Sequence, residues 1–301
     1  MMQVKIFTKG DHKILHGDIV DALNSIEDNS VNLIFADPPY NIGKNFNGRK
    51  DRWVSRTSYM KWCKQWIGLA INKLKSNGSM YIMSATQFAP DFEFFLRSRI
   101  EMKSRIIWSY DSSGVQAKTN FGSLYEPILF CVKDKYKYTF NSKAILIKTK
   151  TGAERKLINY RTNPPRPYNK KKIPGNVWHF PRVRYRMEEY EEHPTQKPKV
   201  LLERIIKVSS RKNDLVLDLF SGTFTTSLVA KELNRKSIGI EIDEGFVKVG
   251  LRRLKIRQQY KKEKLLPVIK PYIRRNSKEK TVEKRTVAGS RIIYLKRKKA
   301  V

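Results

Sequence analysis

VNLIFADPPYNIGKNF, Val31 to Phe46, opens as a strand and then turns abruptly. Six residues from Val31 to Ala36 have strand character, Asp37 ends the run, and Pro38, Pro39 and Tyr40 follow. Two adjacent prolines remove two backbone donors and fix two φ angles, so the strand cannot continue. A carboxylate and an aromatic ring are thus set on either side of a rigid corner.

The chain around this corner is long enough for a large core. Its 301 residues include 40% hydrophobic residues, with 14 Phe, 14 Tyr and 5 Trp, which points to a folded protein. Against 28 Asp+Glu stand 62 Lys+Arg, a formal charge of +34. So large an imbalance calls for a polyanionic partner, most simply nucleic acid. No apolar run approaches the ~18 residues of a membrane-spanning helix, and the N-terminus has no signal-peptide core. Cys63 and Cys131 are too few for a disulfide framework and lack metal-ligand spacing, so they are expected as buried thiols in a reducing cytoplasm and no metal site is expected.

Strands and helices alternate over residues 1–140. Strands are expected at Val31–Asp37, Ser79–Met83, Ser104–Tyr110 and Glu126–Lys133, with helices at Ser58–Lys75, closed by Asn77-Gly78, and at Thr86–Arg99. Such alternation points to a mostly parallel sheet covered on both faces. From 141 to 192 the texture changes to a Pro-, Lys-, Arg- and Tyr-rich stretch without periodicity, read as an insertion. Alternation resumes over 193–260: a helix at Lys199–Ser210, a strand at Leu215–Phe220, a helix from Thr225, a strand at Ser237–Asp243 and a helix to about Tyr260. Residues 261–301 form a basic tail. From 255 to 301 there are 17 Lys/Arg and 3 acids, a charge suited to phosphates and to release of their counterions.

DLVLDLFSGTFTTSLVAKEL, Asp214 to Leu233, places Asp218 near a strand end, then a Ser221-Gly222 turn, then a helix through Thr223–Thr226. KSIGIEID, Lys236 to Asp243, follows as a second strand carrying Glu241. An acid at the tip of the next strand is the usual ribose ligand of a doubly wound fold. The turn has one glycine, so it is neither a G-x-G-x-x-G pyrophosphate loop nor a G-x-x-x-x-G-K-[ST] phosphate cradle. A nucleoside without a phosphate chain fits, as in S-adenosylmethionine.

With such a cofactor, the Asp37 corner suits methylation of an exocyclic amine. The N6 lone pair of adenine is delocalised into the ring and is a poor nucleophile. Two acceptors holding its two hydrogens, the Asp37 carboxylate and the Pro38 carbonyl, would draw the nitrogen toward a tetrahedral shape. The Pro38-Pro39 backbone holds that carbonyl rigidly, and Tyr40 can lay its ring on an extruded base.

These residues, in this order, resemble the bacterial amino-methyltransferases of DNA, in the β arrangement that modifies adenine N6. The resemblance covers roughly residues 12–260 and is especially close to solitary enterobacterial-type adenine methyltransferases through WSYDSSGVQAK, YEPIL, PGNVW and HPTQKP. It implies a doubly wound, mixed α/β sheet of the S-adenosylmethionine-dependent type, with a circularly permuted motif order and a target-recognition insertion. It also implies that Asp37, Pro38, Pro39 and Tyr40 are catalytic. Asp18, in His16-Gly17-Asp18, would lie near the cofactor's adenine, and Thr195, Gln196 and Lys197 at its methionine end with Asp37. Asp218, Phe220, Gly222 and Thr223 would surround the methionine moiety, and Glu241 the ribose. Two positions depart from the pattern: Leu219 stands where Pro is usual, and Phe224 where a Gly or small residue is frequent.

The expected partner is double-stranded DNA, in a cytoplasmic protein drawn to the nucleoid. Homodimerisation and pairing with a restriction endonuclease are left open. Lys170, Lys171, Lys172, Arg182, Arg184 and Arg186 are read as phosphate contacts that set register; a merely solvated face is the plainer reading. Trp108 reads as core, and Asn41 as either a brace of its loop or a simple turn. Cytosine N4 is a rival target, although that group more often has Ser where this chain has Asp37. RNA as substrate and a catalytically silent DNA-binding protein also stay open.

Overall fold

The computed structural model describes residues 4–111, 118–119 and 121–256. The chain divides into two units, Met1–Gln258 and Gln259–Val301, and only the first contains described residues. The basic tail and residues 112–117 of the WSYDSSGVQAK motif therefore lie outside them.

Nine strands form one sheet: β1 (Lys5–Lys9), β2 (His12–His16), β3 (Val31–Ala36), β4 (Leu74–Met83), β5 (Glu101–Ser109), β6 (Tyr125–Val132), β7 (Val177–His179), β8 (Leu215–Asp218) and β9 (Lys236–Glu241). Their order is β1-β2-β9-β8-β3-β4-β6-β5-β7. Five junctions are parallel and three antiparallel, so the sheet is mixed but mostly parallel, as the alternation predicts. The helices are α1 (Ile19–Asn24), α2 (Arg56–Lys73), α3 (Ala89–Arg97), α4 (Lys199–Ser209), α5 (Thr225–Glu232) and α6 (Glu244–Leu254).

β3 shows how the sheet is covered. Ile34 and Ala36 pack with residues of α1, α2 and α3, while Leu33 and Phe35 pack with residues of α4 and α5. Alternate side chains point to opposite faces, so an unbroken apolar run marks a strand buried on both. Trp108 is core, as expected, 1% exposed and donating from its indole N–H to the Phe180 carbonyl at 2.9 Å.

The two halves of the chain meet in the middle of the sheet. β8 lies parallel to β3 with Asp218 opposite Phe35, and β9 lies beside β2 with Glu241 opposite His16. Parallel pairing brings the C-terminal ends of β2, β3, β8 and β9 to one edge, and the ligand crevice of an open α/β sheet lies at that edge.

Three features differ from the sequence reading. The hairpin β1–β2 and helix α1 stand where no element was assigned, because their short runs carry little periodicity. Asn77-Gly78 does not close α2, which ends at Lys73; the pair lies inside β4. The pairing of β3 with β4 shifts register between Val31 and Leu33, and a Cβ on Gly78 would lie 3.0 Å from the Lys75 carbonyl and 3.1 Å from that of Val31. Gly78 thus serves a bulge rather than a helix stop. Finally, the insertion does not stay off the sheet. Its ribbons pair Ile147–Lys148 with Lys171–Lys172 and Ile158–Asn159 with Arg166–Pro167, but Val177–His179 joins the main sheet as β7, parallel to β5.

Candidate active site

Beyond β3 the Asp37 carboxylate is held on both oxygens. Oδ1 accepts from the Tyr40 hydroxyl at 2.7 Å, and Oδ2 pairs with the Lys197 ammonium at 2.6 Å. Glu126 of β6 reaches the same two donors: its Oε2 lies 2.9 Å from the Tyr40 oxygen and 3.5 Å from Lys197 Nζ. Lys197 is 7% exposed. Burial works against its charge, but the Asp37 and Glu126 carboxylates outweigh that and hold the ammonium above its usual range. Burial, then the same two carboxylates, keeps the Tyr40 hydroxyl protonated far beyond the ordinary phenol range.

The corner is braced from the loop that follows it. Asp51 accepts from the backbone N–H groups of Tyr40 and Lys44, and the Tyr59 hydroxyl donates to the Pro39 carbonyl at 2.9 Å. Asn41, at φ 56°, accepts from the Trp53 N–H at 2.9 Å, so it braces the loop as well as turning it. Among the described residues no donor is paired with the Pro38 carbonyl, which leaves it able to accept.

On the other side, Glu241 organises the tips of β8 and β9. Its carboxylate accepts from the backbone N–H of Gly222 at 2.7 Å, Ile242 at 2.9 Å and Asp243 at 2.8 Å. Burial nevertheless pushes Glu241 up to about 7, and Asp218 likewise to about 7. Gly222 needs to be glycine twice over: its φ is 47°, and a Cβ there would meet His193 Nε2 at 2.9 Å. His193 accepts from the Thr195 N–H through Nδ1, and its ring lies tilted against that of Phe246 with centroids 4.5 Å apart. Burial, with Lys197 and Lys44 nearby, lowers its pKa to about 3, so it is a neutral ring.

These groups enclose a cavity of about 380 Å³. Asp18, Asp37, Pro38, Pro39, Tyr40, Thr195, Lys197, Phe220, Gly222 and Glu241 all line it. A second, much smaller cavity of about 30 Å³ shares Asp37, Thr195, Lys197, Phe220 and Gly222, and adds Gln196, Asp218 and Thr223. Of these, Gln196 is engaged elsewhere: its amide accepts from the Glu191 N–H and donates to the Glu189 carbonyl. Asp18 also caps α1 through the Val20 N–H at 2.8 Å.

The basic residues lie apart from the cavity lining. Lys170, Lys171 and Lys172 are exposed around one ribbon of the insertion. Arg184 and Arg186 are exposed, and the Arg182 guanidinium sits 4.8 Å over the Tyr110 ring. Tyr110 in turn donates to Glu126 Oε1 at 3.4 Å, which links Arg182 to the Asp37 corner.

A family model described as DNA methylase matches residues 31–252. The chain belongs to this family. It is 55% identical over 257 residues to the DNA adenine methyltransferase YhdJ of Escherichia coli, covering 85% of this chain and 87% of that protein. The type II methyltransferase M.HpaI of Haemophilus parainfluenzae is 33% identical over 247 residues, covering 81% and 74%. Among solved structures, the M1.HpyAVI–SAM complex superposes with a TM-score of 0.58 at 24% identity, covering 81% of this chain and all of that one. The cytosine-N4-specific PvuII DNA methyltransferase gives 0.63 at 17% identity, covering 84% and 89%. Likenesses this distant speak for the fold.

Within this family the Phe224 departure has a structural explanation. Its side chain is fully buried, packed with Ile14, Val247 and Leu251 rather than lining either cavity. Gly239 and Gly250 make the room: a Cβ on Gly239 would come within 2.7 Å of the Phe224 ring. Leu219, the other departure, lines the large cavity with its neighbour Phe220. The sequence reading assigned no role to Glu126 or Asp51, and His193 entered it only within the segment expected at the methionine end of the cofactor. Glu126 and His193 lie inside the quoted YEPIL and HPTQKP motifs, so the signal was present; Asp51 had none, since only the folded loop turns it back on Tyr40.

Proposed function

We infer that the chain is a site-specific DNA methyltransferase that moves a methyl group from S-adenosylmethionine to N6 of an adenine turned out of the duplex. The observation that carries this reading is the shared cavity: the Asp37–Tyr40 corner and the Glu241 strand tip line one space of about 380 Å³. The similarity to an adenine methyltransferase, at 55% identity, supports adenine over cytosine.

The cavity lining fits the cofactor. Glu241 presents a carboxylate suited to ribose hydroxyls. The Gly222 N–H, which a phosphate would need, is already donated to Glu241, so a nucleoside without phosphates suits the turn. When bound, S-adenosylmethionine supplies an electrophilic methyl group. Asp18 is assigned to the nucleoside end, and Thr195, Lys197, Phe220 and Gly222, with Asp218 and Thr223 behind them, to the methionine end. Gln196 supports that segment through its backbone bonds.

The chain's own residues do the rest by placement. Asp37 and the Pro38 carbonyl accept the two hydrogens of the amine, and Tyr40 offers its ring to the base. The insertion, 141–192, is assigned to target recognition, with Lys170–Lys172, Arg182, Arg184 and Arg186 on phosphates. With DNA as substrate, the protein is assigned to the cytoplasm.

Sequencing methylated bases in DNA from cells expressing the chain tests this directly. N6-methyladenine in one sequence context is expected; methylcytosine alone, or no modified base from a folded protein, would refute it. Asp37→Ala should abolish methylation while S-adenosylmethionine still binds, and wild-type turnover in that variant would sink the assignment of Asp37.

A further inference from the structure

Asp37, Tyr40, Glu126 and Lys197 form a closed ring of contacts. It runs from Asp37 Oδ1 to the Tyr40 oxygen, to Glu126 Oε2, to Lys197 Nζ, and back to Asp37 Oδ2, at 2.7, 2.9, 3.5 and 2.6 Å. Counting hydrogens exposes a gap. Lys197 has three protons for three acceptors, Asp37, Glu126 and the Thr195 carbonyl at 3.2 Å. Tyr40 has one proton for two carboxylates. With all carboxylates ionised, one short oxygen–oxygen contact holds no hydrogen. The ring is one proton short.

Methylation of an amine yields one proton. Resting on the function inferred above, the transfer forms one N–C bond, breaks one C–S bond whose electron pair stays on sulfur, and leaves one proton in excess on the nitrogen. We propose that Glu126 is a positioning residue that takes up this proton through Tyr40. Asp37 Oδ1 accepts the proton from the amine, and the Tyr40 hydroxyl passes its own proton to Glu126 Oε2. In the same motion Tyr40 takes the amine's proton from Asp37; it then donates to Asp37 and accepts from Glu126, which fills the empty contact. The proton returns to solvent when the site opens.

The surroundings suit a transient proton. Lys197, Lys44 and Arg182 place positive charge around Glu126, and Tyr110 donates to its other oxygen. Asp37 is the one carboxylate facing it through the ring. Tyr40 remains a hydroxyl throughout, so the step needs no tyrosinate.

Single-turnover methylation across pH, with cofactor affinity measured by calorimetry, tests the relay in the full-length chain. Glu126→Gln keeps the shape but cannot take the proton, and Tyr40→Phe keeps the ring but breaks the path. Each should slow methyl transfer by roughly 100-fold or more with cofactor affinity unchanged, and the acid limb of the pH profile should move in Glu126→Gln. The double variant should be no slower than the slower single one. Glu126→Asp should recover the acid limb.

A second readout needs neither cofactor nor DNA. With carbon-13 at the tyrosine ζ position, acid titration of the ligand-free protein should shift the Tyr40 signal, and Glu126→Gln should change the midpoint or size of that shift. A wild-type rate in either single variant, losses that multiply in the double variant, or a Tyr40 titration indifferent to Glu126 would overturn the relay. If the wild-type chain does not methylate adenine yet Tyr40 still reports on Glu126, the inferred reaction falls and the proton site stands.

Discussion

Glu241 carries two duties, and they make different substitutions informative. Its carboxylate gathers three backbone N–H groups from the tips of β8 and β9 as well as lining the cavity. Glu241→Ala would therefore disturb the loop together with any ligand contact, and Glu241→Gln is the sharper test. It should weaken S-adenosylmethionine binding by about 1–3 kcal/mol, the worth of a charged hydrogen bond, and unchanged affinity in calorimetry would place the ribose elsewhere. Burial also gives Glu241 and Asp218 a pH signature. Both are raised to about 7 from ordinary values of 4.5 and 3.8. Between those limits the folded protein holds protons that the unfolded chain has released, so their contribution to stability is greatest at the acid end and falls as pH rises through 7. Melting temperature of the ligand-free protein should drop between about pH 5 and pH 8, and Asp218→Asn should flatten that drop.

Helix α5 and its neighbours are set by one large side chain and two absent ones. Phe224, at φ 59°, precedes α5 with its ring buried against the glycines of β9 and α6. Gly239→Val would drive methyl groups into that ring, at a cost of about 1–3 kcal/mol for overpacking. Phe224→Ala would leave a cavity and cost about 3–5 kcal/mol. The double variant Gly239→Val/Phe224→Ala should recover part of both losses in chemical denaturation; strict additivity would mean that the two sites do not share this space. The packing shows how a position where the resemblance leads one to expect a Gly or small residue holds a phenylalanine: the volume is taken from the facing strand and helix.

For the whole molecule, charge and shape divide the labour on DNA. The tail beyond 260 is basic enough to attract any duplex without choosing a sequence. Its removal should lower affinity for target and non-target DNA alike and flatten the salt dependence, while the methylated sequence stays the same. The insertion is different, because it presents Tyr and Asn among its cations and is fixed to the sheet domain. Asn141 donates to the Lys207 and Ser210 carbonyls at the end of α4, and β7 pairs with β5. Exchanging it for a relative's insertion, with β7 retained, should change the methylated sequence and spare cofactor affinity. A tail deletion that altered the target would put recognition in the wrong segment.

By itself the sequence determined which groups stand at each strand tip. Asp-Pro-Pro-Tyr after an apolar run, and Glu241 after Gly222, are local patterns whose meaning survives without coordinates, because prolines fix φ and a lone glycine excludes a phosphate loop. It also determined the central strands, since a run buried on both faces must be apolar throughout. The tertiary structure alone decided how those tips combine. Parallel pairing of β8 with β3 brings Asp218 beside Asp37 from the far end of the chain, and no spacing encodes that register. Lys197, read from its motif as a ligand of the cofactor, lines the cavity and is also drawn into an ion pair with Asp37, because a buried ammonium needs a counter-charge and two carboxylates lie within reach. Glu126 gained its place the same way: it looks like any acid near the start of a strand until folding sets it between a hydroxyl with one proton and a carboxylate that already claims it.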